Sequence, residues 1–152
     1  MSDRAEKAGF TTHTFIRCTQ DSLWAAMTDP THMAASHFVA ERVTSDEGDS
    51  GAMTFLLPGG TPRFTLRPIT VTPKTEFEAG FEPHFFGPDA PSSRVVYEIE
   101  QMEKVCRLTV EHYEIPEGQE GVAAGWMRLV SSVKSYLETG TPIRMPVECL
   151  PV

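Results

Sequence analysis

One stretch limits what this chain can fold into more than any other: the run from Gly121 to Gly140. Val122, Trp126, Leu129, Val130, Val133 and Leu137 recur at the three-and-four spacing of a single helix face. Gly140 stands where a left-handed residue ends a helix, and Pro142 prevents its continuation. Almost everything upstream has the character of strands. A single long helix with one apolar face needs one curved sheet to lie on. The bulky Trp126, with small residues beside it, leaves room for a cavity between helix and sheet.

The order of elements follows from local pattern. Residues 10–18 alternate, with Thr12, Thr14, Ile16 and Cys18 on one face. Gln20-Asp21-Ser22 offers capping chemistry for a short helix over 23–28, which Asp29-Pro30 breaks, and a second helical turn follows over 31–35. Strands are predicted over 37–44 and 52–57, joined by the polar segment 45–51, and the turn Pro58-Gly59-Gly60 follows. Residues 63–72 form a strand in which Pro68 marks an edge or a bulge. In 75–81, Phe77, Ala79 and Phe81 alternate with polar residues and glycine, as in a half-buried strand. After a loop over 83–91, a hairpin over 94–100 and 105–113 turns at Gln101-Met102-Glu103-Lys104. Its inward faces are Val95, Tyr97 and Ile99, then Cys106, Leu108, Val110 and His112. The expected fold class is α+β. It is a helix-grip arrangement in which an antiparallel sheet of six or seven strands curves around the long C-terminal helix, with two short helices after the first strand. Residues 1–9 read as a flexible tail, 10–140 as one domain and 141–152 as a C-terminal tail.

Charge and composition exclude several function classes. A chain of 152 residues suits one domain with a real core. Its formal net charge of -8, with no basic run, argues against nucleic acid and against an anionic membrane surface. No apolar run approaches the ~20 residues of a membrane span. The N-terminus lacks the apolar core of a signal peptide, so a cytoplasmic location is expected. Cys18, Cys106 and Cys149 form an odd set without close spacing, and Cys18 and Cys106 fall in strand patterns as small core residues. His32 and His37 lie five apart with no third ligand, so no metal site is expected. No phosphate-cradling glycine loop appears, and no cofactor is expected.

The segments 23–30, 93–100, 106–112 and 125–140, in that order and spacing, resemble the SRPBCC (START / birch-pollen-allergen-like) superfamily. Within it they are similar to the branch homologous to the activator of the heat shock protein 90 ATPase. The resemblance covers nearly all of residues 10–140. It implies a helix-grip fold with a cavity under the C-terminal helix, and in some members the binding of apolar or amphipathic small molecules. It carries no catalytic motif onto this chain. It also implies a chaperone as a partner by analogy, and is compatible with a homodimer.

The expected cavity is lined from the sheet and short helices by Trp24, Met27, Phe38, Phe55, Phe77, Phe81, Tyr97 and His112. Trp126, Leu129 and Val133 line it from the long helix. His112 is the best polar candidate, as a ligand anchor, as a general acid or base, or as a satisfied core histidine. Tyr97 could offer a hydroxyl to the same space or find a backbone partner. The loop around Phe85 and Phe86 is either a lid, a dimer contact or plain packing. No catalytic set emerges, so ligand binding is the first reading. A co-chaperone-like activator and a cyclase- or hydrolase-type enzyme are the alternatives.

Overall fold

The computed structural model of the protein describes residues 8–46, 51–87 and 89–146. Most of the predicted N-terminal tail, the middle of the acidic 45–51 segment, Pro88, Cys149 and the end of the C-terminal tail lie outside the described residues. The elements are β1 (Phe10–Ile16), α1 (Gln20–Thr28), α2 (Pro30–Ser36), β2 (Arg42–Asp46) and β3 (Ala52–Leu56). They continue with β4 (Pro62–Thr72), β5 (Glu76–Pro83), β6 (Ser93–Met102), β7 (Val105–Tyr113) and α3 (Val122–Thr139). The seven strands form one sheet in the order β1-β7-β6-β5-β4-β3-β2, antiparallel throughout. This is the expected α+β helix-grip fold: a curved antiparallel sheet, two short helices and a long C-terminal helix.

Local chemistry explains the helix ends. α1 starts earlier than the sequence suggests, because Thr19 is its cap: the Ser22 N–H donates to Thr19 Oγ1 at 3.1 Å. Asp29 serves two helices. Its backbone N–H donates to the Ala25 carbonyl and closes α1, while its carboxylate accepts the His32 N–H and opens α2. Pro30 follows in the first position of α2, where its missing N–H costs nothing. α3 ends as the sequence implies, with Gly140 at φ 87° donating its N–H to the Tyr136 carbonyl. Beyond it, Arg144 turns back and donates to the carbonyls of Ala34, Ala35 and Ala40 near the end of α2.

The strand predicted from residue 37 begins only at Arg42. The reason is His37, whose Nδ1 accepts the backbone N–H groups of Val39 (3.1 Å) and Ala40 (3.0 Å). Those donors are taken locally and do not enter a ladder. β4 shifts register against β5 between Pro68 and Thr70, as a residue without an N–H requires. The β6–β7 turn is tighter than expected, since the ladder runs on to the Met102–Val105 pair.

Side-chain alternation then builds one apolar face. Phe77 pairs with Tyr97, Ala79 with Val95 and Phe81 with Ser93 across β5 and β6; Tyr97 pairs with Val110 and Val95 with His112 across β6 and β7. These residues are all buried, and α3 covers them with Val122, Trp126, Leu129, Val130 and Val133.

Candidate functional site

The polar centre of the interior lies where β6, β7 and α3 meet. The Trp126 indole N–H donates to His112 Nδ1 at 2.9 Å. Indole nitrogen can only donate, so Nδ1 is unprotonated and the ring proton sits on Nε2. That N–H in turn donates to Ser93 Oγ at 2.7 Å. Burial holds the His112 pKa down at about 4, so the ring is neutral near pH 7. Both nitrogens are engaged and the residue is fully buried. His112 therefore has no lone pair for a substrate proton; it fixes the rotation of Trp126 against the sheet. Tyr97 stacks on Phe77 at 5.7 Å and meets the Trp126 ring edge-on at 5.9 Å. Burial alone pushes its hydroxyl pKa up.

Met27, Phe55, Phe77, Tyr97, His112 and Val133 are buried in the core, and the partly buried Trp24 packs against it from α1. One cleft lies at an end of the interior, beside the N-terminal half of α3. It is bordered by Val122, Gly125, Trp126 and Leu129 of α3, and by His37 and Phe38 after α2. Arg63 and Phe64 of β4, Phe81 of β5 and Phe85 of the following loop complete it. Its cavity volume is about 40 Å³. That volume holds roughly three water molecules. Of the residues expected to line a cavity, Phe38, Phe81, Trp126 and Leu129 border this cleft.

The walls are aromatic. Phe55 and Phe64 stack at 4.3 Å, Phe64 and Phe81 lie 5.1 Å apart, and Phe81 is 6.0 Å from Trp126. His37 stacks on Phe38 at 4.6 Å. Its Nδ1 is committed to the backbone, so its proton sits on Nε2 as a neutral donor. Burial first, then the charges of Arg144 and Arg63, lower its pKa to about 3. Arg63 lies over the Phe85 ring, with its guanidinium carbon 3.8 Å from the ring centre. The predicted aromatic loop thus contributes Phe85 to the rim.

His37, Arg63, Phe64, Phe85, Val122 and Gly125 were not on the predicted lining. Gly125 carried a readable signal: a residue without a side chain interrupts the apolar stripe beside Trp126. A Cβ placed there would meet nothing within 4 Å. Arg63 carried none, because its place depends on how β4 pairs with β5.

A family model described as "Activator of Hsp90 ATPase homolog 1-like protein" matches residues 17–138. No curated protein matches the chain. Among solved structures, the Aha1 dimer from Colwellia psychrerythraea is similar at TM-score 0.69 and 14% identity, over 86% of this chain and 96% of that one. Protein CV1439 from Chromobacterium violaceum is similar at TM-score 0.68 and 18% identity, over 85% of this chain and 96% of that one. CalU16 from Micromonospora echinospora is similar at TM-score 0.66 and 18% identity, over 87% of this chain and 74% of that one. At these identities the likeness is one of fold.

Proposed function

This chain belongs to the family of Activator of Hsp90 ATPase homolog 1-like proteins, and from that premise we propose that it binds a small apolar or amphipathic molecule in the cleft beside the N-terminal half of α3. One observation carries the reading: the cleft is walled by Phe38, Phe64, Phe81, Phe85, Trp126 and Leu129, with His37 and Arg63 as its few polar groups. Apolar walls supply affinity and a few polar groups supply orientation. Each ligand methylene taken out of water would contribute ~0.8 kcal/mol. Of the eleven residues singled out from the sequence, the four at the cleft are direct contacts in this reading. The other seven support it from the core.

Native mass spectrometry of the purified protein tests this together with the subunit count. A bound mass that is present in the wild type and lost in Gly125→Leu supports the reading. A bound mass retained by Gly125→Leu places the ligand elsewhere and contradicts it. The same spectrum reports whether the chain forms a homodimer, the state in which the Colwellia Aha1 structure was solved.

A co-chaperone role is the second reading, favoured by the family description and by the Aha1 structure among the similar folds. It is checked by the ATPase rate of a heat shock protein 90 chaperone with and without this protein. An unchanged rate and no association would remove it. A cyclase- or hydrolase-type reaction could not use His112 as its base, because both ring nitrogens are already bonded.

A further inference from the structure

One polar atom on the cleft wall has no partner. His37 is only 2% exposed and borders the cleft. Its Nδ1 accepts the backbone N–H groups of Val39 and Ala40, so the ring proton is on the other nitrogen, Nε2. Among the described residues no group accepts from that N–H. Nor is Nε2 sealed in. Among the described residues, the enclosed side-chain atoms that lack a partner are Arg107 Nε, Glu111 Oε1, Gln119 Oε1 and Arg128 Nη1. Nε2 therefore keeps contact with open space. Phe38 stacks on the ring at 4.6 Å, and Phe55 and Phe64 lie tilted at 5.4 and 6.3 Å. With one ring face on Phe38 and the Nδ1 edge on the backbone, the edge left free carries Nε2, and the space that His37 borders is the cleft. The walls opposite offer no acceptor: Phe64, Phe81 and Phe85 are hydrocarbon, and the Trp126 indole N–H is itself a donor, spent on His112. A dry donor left without an acceptor is unfavourable, and a bound oxygen would relieve that cost. An uncharged oxygen does so without the larger penalty of burying a carboxylate among aromatic rings.

We propose that the molecule held in the cleft carries an uncharged carbonyl oxygen, that of a ketone or an ester, which accepts the Nε2–H of His37 while its apolar body lies against Phe64, Phe81, Phe85 and Trp126. This inference rests on the binding reading above and adds the ligand's acceptor. His37 is then the residue that selects among apolar molecules of equal size, since a few placed polar atoms set orientation and specificity in an apolar site.

Titration of the whole protein with acetophenone and α-methylstyrene separates the two claims, because the molecules share one shape and differ in C=O against C=CH₂. The variant is His37→Asn. Its amide oxygen takes the place of Nδ1 and keeps the bonds to the Val39 and Ala40 N–H groups, while the Nε2 donor is lost. The ratio of acetophenone to α-methylstyrene affinity should fall about fivefold in the variant, as for one neutral hydrogen bond. A second measurement needs no variant. In ¹⁵N-labelled wild type, the His37 Nε2–H proton should move downfield with acetophenone and not with α-methylstyrene, whose aromatic ring is the same. An affinity ratio unchanged in His37→Asn would overturn the acceptor inference and leave the binding reading standing. So would equal movement of the Nε2–H proton with both molecules. Benzoate binding more tightly than acetophenone would overturn the uncharged character of the acceptor. Failure of all three to bind would overturn both claims together.

Discussion

At the scale of single residues, His112 is held at both ring nitrogens and fully buried. The sequence placed it on the inward face of the second hairpin strand, and the register with Val95 puts it there. What alternation could not reveal was its partners. Ser93 is nearby because it shares that face of β6, and Trp126 arrives from a helix fourteen residues later. Trp126→Phe removes the donor to Nδ1 and leaves a buried acceptor unsatisfied, which should cost about 1–3 kcal/mol in urea unfolding. A variant as stable as wild type would show that the bond contributes nothing. The pH dependence follows from two rings. His37 and His112 have native pKa values of about 3 and about 4, against 6.5 when unperturbed. The unfolded chain therefore binds more protons between these limits. The stability that depends on neutral rings is fully present above about pH 6.5 and is lost as pH falls toward 4. Melting temperatures should be level from pH 7 to 8 and decline from pH 6.5 to 5. In the same range, the ring resonances of both residues should keep neutral positions. Titration of either ring near pH 6.5 would contradict its burial.

At the scale of elements, the sequence was most legible where one residue type has one conformational meaning. Gly140 is such a residue: at φ 87° it ends α3 in a conformation that L-residues avoid. Gly140→Ala should cost about 1–2 kcal/mol, read as a lower unfolding midpoint in urea. Thr19→Ala should cost about 1 kcal/mol by uncapping α1. The alternation of Phe77, Ala79 and Phe81 was equally clear, and β5 buries every second residue. Legibility failed at 37–41. His37 and Phe38 look like the start of a strand, but the His37 ring accepts the N–H groups of Val39 and Ala40 and keeps them out of the ladder, and the strand starts at Arg42. Side chain-to-backbone bonds of this kind leave no periodicity to read.

At the scale of the whole molecule, a helix lying across a curved sheet was foreseeable, while the full set of residues bordering the cleft was not. The sequence suggested a hollow between helix and sheet, with Trp126 and the small residues beside it. Phe77, Tyr97 and Val133 are buried in the core, and the cleft is bordered by Trp126 and Gly125. Whether two facing surfaces fill or gape depends on summed side-chain volumes and helix placement, which a one-dimensional pattern does not contain. Gly125→Leu tests the consequence cleanly. Gly125 has ordinary helical backbone, and a Cβ there meets open space. The variant should therefore be as stable as wild type, or more stable by about 0.5–1 kcal/mol from helix propensity alone, while its side chain occupies the cleft. The most direct measurement is a titration of ¹⁵N-labelled wild-type and Gly125→Leu protein with 1-octanol, followed in amide and indole correlation spectra. Saturable shifts centred on Phe64, Phe85, Gly125 and the Trp126 indole, absent from the folded variant, are expected. Shifts of equal size in both proteins, or none in the wild type, would contradict a ligand site in this cleft.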